Sequence, residues 1–369
     1  MGCKLPMDGH DLVLCLLLVI LSMQVLQVPV VASLRPPAMY VFGDSTLDVG
    51  NNNYLPGKNV ARANRSHYGI DFPGIPTGRF SNGYNTADYV AKSMGFVSSP
   101  PPYLSLLASP SSSLLVLTAL TTGVSYASGD AGILDSAVQY FKTTKANMVS
   151  TLGSRAVNAM LSRSIFLIGV GSNDMFVFAV TQQAQNRSAA EQQSDVAAFY
   201  AGLVSNYSAT VTELYKLGAR KFAIINVGLV GCVPRVRVLD PAGACADGMN
   251  QLAAGFDGAL KSLLAGLAPK LPGMVYSLAD SFGLTQATFA HPEASGYTNI
   301  AGACCGGGRM DAEADCLPES TLCANRGHYL FWDWVHPSQR AAMLSAKAFY
   351  DGPPQFTSPI SFKQLAHKI

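Results

Sequence analysis

Along this chain, short continuous apolar runs alternate with longer stretches whose apolar residues recur at i, i+3 and i+4. Five of the short runs, residues 38–42, 123–127, 164–170, 221–227 and 274–278, are rich in β-branched or aromatic residues and end in Gly, Asn, Asp or Ser. Runs without polar alternation belong to strands buried on both faces, as in parallel sheets. Between them, residues 85–94, 197–217 and 249–267 carry the helical period. The alternation predicts a three-layer α/β/α sandwich around a five-stranded parallel sheet. Ligands of such a sheet sit at the carboxyl ends of its strands, beside a topological switch point. The Pro- and Ser-rich segment 98–117 reads as a surface loop. With no repeat and no dividing linker, residues 33–369 are expected to form a single domain.

The first 34 residues break this pattern. Residues 12–34 carry no charge, are rich in Leu and Val through about Ile20, and end in Val-Val-Ala-Ser. An apolar stretch closing on small residues predicts a cleaved export signal over 1–32. Its length also suits a membrane anchor, although Gln24, Gln27 and Pro29 weaken the second half as a span. Membrane association is therefore expected only if the signal stays uncleaved, and the protein is read as secreted and extracellular.

Composition narrows the function. At 49% hydrophobic and 13% charged, the chain lies far from disorder. Removing Lys4, Asp8 and Asp11 with the signal leaves 24 basic and 21 acidic residues, and no basic run interleaves with aromatics. Nothing supports nucleic-acid binding. Beyond the signal remain Cys232, Cys245, Cys304, Cys305, Cys316 and Cys323, an even set suited to disulfides in an oxidising compartment. Sequence neighbourhood groups Cys232 with Cys245 and the other four among themselves. No Cys-x-x-Cys pair suggests zinc. Asn64, Asn186 and Asn206 open glycosylation sequons, which matter only because export is expected.

Neither a Gly-x-Ser-x-Gly elbow nor a phosphate-binding Gly-Lys-Ser/Thr loop occurs. The apolar run Tyr40-Val-Phe instead leads straight into Gly43-Asp-Ser45, which puts a hydroxyl at the sheet's carboxyl edge. A helix starting just afterwards would favour a developing oxyanion there, while a simple helix cap would use the same residue types. A serine nucleophile needs a base, and the chain has six histidines. His10 lies in the signal, His67 beside a sequon and His367 in the tail. Of His291, His328 and His336, only His336 has an acid at short fixed range, Asp333 in Asp-Trp-Val-His-Pro. A carboxylate three residues away can reach Nδ1–H and leave Nε2 free as base. Gly169-Val-Gly-Ser-Asn173-Asp follows another strand and offers an amide to an oxyanion. Ser128-Gly129-Asp130 follows a third, where glycine permits close backbone approach.

Several motifs together carry a family resemblance: Phe42-Gly-Asp-Ser-Thr-Leu-Asp-Val-Gly-Asn-Asn-Asn53, Tyr68-Gly-Ile-Asp-Phe-Pro73 and Pro76-Thr-Gly-Arg-Phe-Ser-Asn-Gly83. Gly123-Val-Ser-Tyr-Ala-Ser-Gly129, Gly171-Ser-Asn-Asp174, Cys304-Cys-Gly-Gly and Tyr329-Leu-Phe-Trp-Asp-Trp-Val-His-Pro337 follow in order. Residues 38–350 thus resemble the plant-type GDSL esterase/lipases of the SGNH hydrolase superfamily. The resemblance implies a flavodoxin-like fold and carboxylic ester hydrolysis without a cofactor or metal. It further implies Ser45 as nucleophile, His336 as base, Asp333 as its orienting acid, and Gly129 and Asn173 as oxyanion donors beside the Ser45 N–H. Thr46 stands where the family has Leu, Ser125 where Asn is usual, and Asp130 where Gly is usual. Trp334 replaces a smaller residue; with Trp332 it either simply packs the loop, or it narrows the acyl pocket or stacks on a sugar face. The same residues would also serve an acyltransferase, and the same fold a non-catalytic secreted glycoprotein binding lipid or polysaccharide.

Overall fold

The structure, a computed structural model, describes residues 35–368 apart from 112, 134, 135 and 186. The expected signal (residues 1–32) and the Asn186 sequon fall outside the described residues.

Four parallel strands form the heart of one sheet: β1 Met39–Gly43, β2 Ile165–Gly169, β3 Lys221–Ile225 and β4 Val275–Ala279. The fifth, β5 Thr357–Ser358, pairs antiparallel with β4. All four parallel strands were legible as apolar runs, and the mainly parallel five-stranded sheet stands. Residues 123–127 differ from expectation. They run beside β1, with Val41 N–H donating to Val124 O and Tyr126 N–H to Val41 O, yet make only a parallel bridge at Val41–Ser125. Gly123, at φ +95°, breaks the extended path at one end. The other flank faces Pro101 and Pro102, which have no N–H to extend a ladder.

Counting that segment, the spatial order is 123–127, β1, β2, β3, β4, β5, with β1 at the switch point. Side chains alternate between the faces. Tyr40, Phe42, Phe166, Ile168, Phe222 and Ile224 join the core under helices Ala137–Leu152, Ala189–Lys216 and Asp247–Leu267. Met39, Val41, Ile165, Leu167 and Ala223 face the other way, onto helices Thr86–Ser93, Gln339–Asp351 and Phe362–His367. These are the two outer layers of the sandwich.

Helix Ala189–Lys216 starts eight residues before its apolar period becomes visible, because Ser188 and Glu191 cap it reciprocally. Segment 98–117 is not a plain loop. It holds helix Tyr103–Leu107 and the start of helix Leu114–Thr121, since Tyr103, Leu106 and Leu115 reach the core. Disulfides join Cys232 to Cys245, Cys304 to Cys323 and Cys305 to Cys316. The last two surround a small core with Tyr68, Phe80 and Trp332. Among the described residues, no helix is long and apolar enough to cross a membrane.

Candidate active site

Ser45 stands on a single tight turn at the end of β1. Asp44 N–H donates to Gly169 O on the neighbouring strand, and the Asp44 carbonyl accepts the N–H groups of Leu47 and Asp48. Gly43 is obligatory: a Cβ there would lie 2.6 Å from Gly169 O and 2.8 Å from Leu47 Cδ1. The turn is not the start of a long helix. Asp44 stabilises it from below, accepting Thr46 N–H at 2.9 Å and Thr46 Oγ1–H at 2.7 Å through one carboxylate oxygen.

The late segment folds back onto this turn. Trp332 N–H donates to His336 O, closing a tight loop whose interior is the Asp333 carboxylate. Asp333 is fully buried and accepts from Val335 N–H at 3.0 Å, His336 N–H at 2.8 Å and His336 Nδ1–H at 2.8 Å. Its other oxygen accepts Tyr68 Oη–H at 2.8 Å. The far ring nitrogen, Nε2, lies 2.8 Å from Ser45 Oγ. Three side chains that the sequence separates by 291 positions therefore form one relay. Phe80 packs against the imidazole, with ring centroids 4.8 Å apart.

The oxyanion side departs from expectation at Gly129. That N–H is not free: it donates to the buried Asp48 carboxylate at 3.2 Å. Asp130, and not Gly129, lines the cleft with Ser45 and Asn173. Gly129 is needed for close packing, because a Cβ would fall 2.6 Å from Asn52 Nδ2 and 2.8 Å from Phe80 Cζ. Asp130 holds φ +63°, a conformation that suits glycine and that Asp tolerates better than most residues. Among the described residues, neither Ser45 N–H nor Asp130 N–H has a protein acceptor. The Asn173 amide gives one hydrogen to Ala131 O at 2.9 Å, which fixes its plane and leaves its second hydrogen to donate.

With this geometry in place, comparison with known proteins is direct. The GDSL-like Lipase/Acylhydrolase family profile matches residues 39–349. The chain belongs to the GDSL esterase/lipase family. One Arabidopsis thaliana GDSL esterase/lipase is 36% identical over 98% of this chain and 97% of its own length. A second from the same plant is 34% identical over 89% and 85%. Among solved structures, a lipase from a goat rumen metagenome is similar at 12% identity and a TM-score of 0.37, covering 84% of this chain and 94% of its own. As a GDSL esterase/lipase, the protein is a carboxylic ester hydrolase.

In this hydrolase the relay is electrically biased. Burial opposes the charged imidazolium, but the Asp333 carboxylate, through charge and hydrogen bond, and the nearby Asp44 outweigh it, so the His336 pKa is raised above its ordinary 6.5. Burial likewise opposes ionisation of Asp333, yet His336 and two backbone N–H groups hold its pKa below the usual value. A base must be neutral to take a proton, so a raised pKa moves the loss of activity to higher pH. The acid limb of kcat/KM is expected to have its midpoint above pH 6.5, and Asp44→Asn to shift it downward. A wild-type midpoint at or below 6.5 in a pH–rate profile contradicts the arrangement.

Ser45 opens into a cleft of about 790 Å³. One wall is apolar, formed by Phe176, Val180, Val236, Leu239 and Met249. Trp334 lines the mouth, half-buried, with the Arg235 guanidinium 4.8 Å from its ring centroid and Arg235 N–H donating to its carbonyl. Tyr68, Phe80 and Arg235 carry no role in a reading of local motifs, because their partners lie far away in sequence. Of the sequons, Asn64 is exposed in a loop, whereas Asn206 is half-buried on helix Ala189–Lys216. A bulky glycan suits the first setting better. Among the described residues, no group of His, Cys, Asp and Glu is arranged to hold a metal.

Proposed function

We propose that this protein is a secreted serine esterase that cleaves acyl esters by a Ser45–His336–Asp333 triad. The observation carrying the reading is the unbroken contact sequence from Asp333 through both His336 nitrogens to Ser45 Oγ, each link at 2.8 Å. Ser45 Oγ attacks the ester carbonyl carbon as its proton passes to His336 Nε2. The resulting oxyanion takes hydrogen bonds from Ser45 N–H, Asp130 N–H and the spare Asn173 amide hydrogen. His336 then protonates the leaving alcohol. Water, deprotonated by the same imidazole, attacks the acyl-serine and releases the acid.

The apolar wall receives the acyl chain, and Trp334, braced by Arg235, borders it. Export through the segment over 1–32 agrees with three disulfides, which persist in oxidising compartments. The direct test is treatment with an organophosphonate alongside assay of a short-chain aryl ester. One adduct on Ser45, formed as turnover is lost, is expected; labelling elsewhere, or inactivation without an adduct, removes the assignment.

Asp130 is the feature that sets this site apart. Its exposed carboxylate borders the place where negative charge develops. A like charge beside a developing oxyanion, well solvated, costs on the order of 1 kcal/mol. Asp130→Gly should therefore raise kcat up to roughly fivefold, with a small gain in Tm from relief of the positive φ. Asp130→Asn isolates the charge by keeping the side chain's shape. If both variants retain wild-type kcat, the carboxylate does not oppose the reaction.

A further inference from the structure

The motif after the nucleophile, Asp48-Val-Gly-Asn51-Asn52, touches no reacting atom, yet its polar groups are almost entirely buried. Asp48 has no cation among its partners. Its carboxylate accepts Gly50 N–H and Asn51 N–H at 2.7 Å, Asn52 N–H at 3.4 Å and Gly129 N–H at 3.2 Å. Asn51 donates through its amide to Ser125 O at 2.9 Å and Ala127 O at 2.8 Å, while accepting Leu104 N–H at 3.0 Å. Asn52 donates to Gly129 O at 3.1 Å and Ala61 O at 2.8 Å, and accepts the Ser128 hydroxyl. Three polar residues of the nucleophile loop, Asp48, Asn51 and Asn52, thus grip one neighbouring segment, 125–129, at five points.

The grip decides which N–H faces the cleft. In the turn 128–131, Ser128 N–H goes to Gly43 O, Gly129 N–H to Asp48 and Ala131 N–H to Ser128 O. Among the described residues, Asp130 N–H is the one in this turn without a protein acceptor, and Asp130 lines the Ser45 cleft. We propose that Asp48, Asn51 and Asn52 are positioning residues for the oxyanion hole, tying the turn 128–131 to the nucleophile loop so that Asp130 N–H and Ser45 N–H keep a fixed separation. The carboxylate is required at position 48 because only a group with acceptors and no donors can serve four N–H groups at once. An amide would turn a donor toward at least one of them, and a misplaced oxyanion donor loses most of its value.

The proposal rests on the hydrolase reading, so its test starts with wild type and Ser45→Ala on a short-chain aryl ester. Equal turnover by these two removes the Ser45 triad reading and the proposal with it. Given an active wild type and an inactive Ser45→Ala, the deciding variants are Asp48→Asn and Ser128→Ala, the second keeping the test open if the first does not fold. Turnover is expressed per active site titrated with phosphonate, and affinity is measured for a trifluoromethyl ketone, which adds to serine and forms an oxyanion. Asp48→Asn is expected to lower kcat roughly tenfold to a hundredfold with KM within about threefold, and to weaken the ketone by the same factor as kcat/KM. Ser128→Ala should do the same by about threefold to tenfold. A purely structural role lowers Tm and the titratable fraction but leaves kcat per titrated site and ketone affinity at wild-type values. That result, in whichever variant folds, overturns the proposal.

Discussion

Replacing Ser45 with alanine is expected to lower kcat toward esters by about 10⁶-fold while leaving KM within a few-fold of wild type. The size follows from the loss of the atom that forms the acyl-enzyme, since water must then attack directly with no second, easier step to share the barrier. Substrate still enters the same cleft, because the removed hydroxyl touches only His336 Nε2 among the described side chains. Residual turnover is expected to exceed that in buffer, as the N–H donors and the imidazole remain. The check is single-turnover kinetics on a short-chain aryl ester, combined with mass spectrometry after phosphonate treatment. An alanine variant within tenfold of wild type would place the nucleophile elsewhere. Conserved stability is part of the expectation, since Ser45 is only half-buried and its loop is held by Asp44 and Gly43.

The sheet was legible wherever a strand is buried on both faces, because such strands have no polar alternation to obscure them. Tyr40-Val-Phe, Ile165–Gly169 and Lys221–Ile225 are of this kind. Residues 123–127 share that apolar character, yet sequence does not reveal that prolines from another segment lie on their outer side. The Asp333–His336 contact was legible for a different reason: the two are three residues apart, so it is local. The pairing of Gly129 N–H with Asp48 was not. Whether Gly129 or Asp130 offers its N–H depends on which peptide Asp48 captures, across a separation of 81 positions. No local pattern at either end records that pairing. Tyr68 was hidden in the same way, its hydroxyl meeting Asp333 across 265 positions.

These long-range contacts share a design. The nucleophile loop, the turn 128–131 and the Asp333–His336 loop come from three distant parts of the chain, and each is secured by hydrogen bonds rather than by one continuous core. Buried polar networks of this kind hold a single arrangement only when every member is satisfied. Asp48, whose pKa burial raises to about 6, shows the cost of anchoring with a carboxylate that has no counter-cation. Four N–H groups offset that cost at neutral pH. Acidification toward pH 6 protonates Asp48 and weakens the anchor, which adds to the activity lost through protonation of His336.

The second large expectation concerns Asp333→Asn, which should reduce kcat by about 10⁴-fold with little change in KM or in backbone structure. An amide has nearly the shape of the carboxylate and can still accept the N–H groups of Val335 and His336 through its oxygen. Its nitrogen then faces either Tyr68 Oη or His336 Nδ1. Turned toward the ring, the amide donates to Nδ1 and moves the imidazole proton to Nε2. That tautomer presents an N–H to Ser45 and has no lone pair with which to take its proton. Removing the negative charge also abolishes the main influence that raises His336, so whatever activity remains should have its acid limb at lower pH than wild type. The stability effect has its own sign. Because the folded-state pKa of Asp333 is depressed, its contribution is present above the unfolded carboxylate value and lost as pH falls through the folded one. Asp333→Asn should therefore cost stability at pH 7 and converge with wild type in strong acid. Kinetics across pH 5–9, with thermal melts at pH 7 and below pH 3, test both. A variant that keeps wild-type kcat with an unshifted acid limb would mean that His336 needs no carboxylate to act.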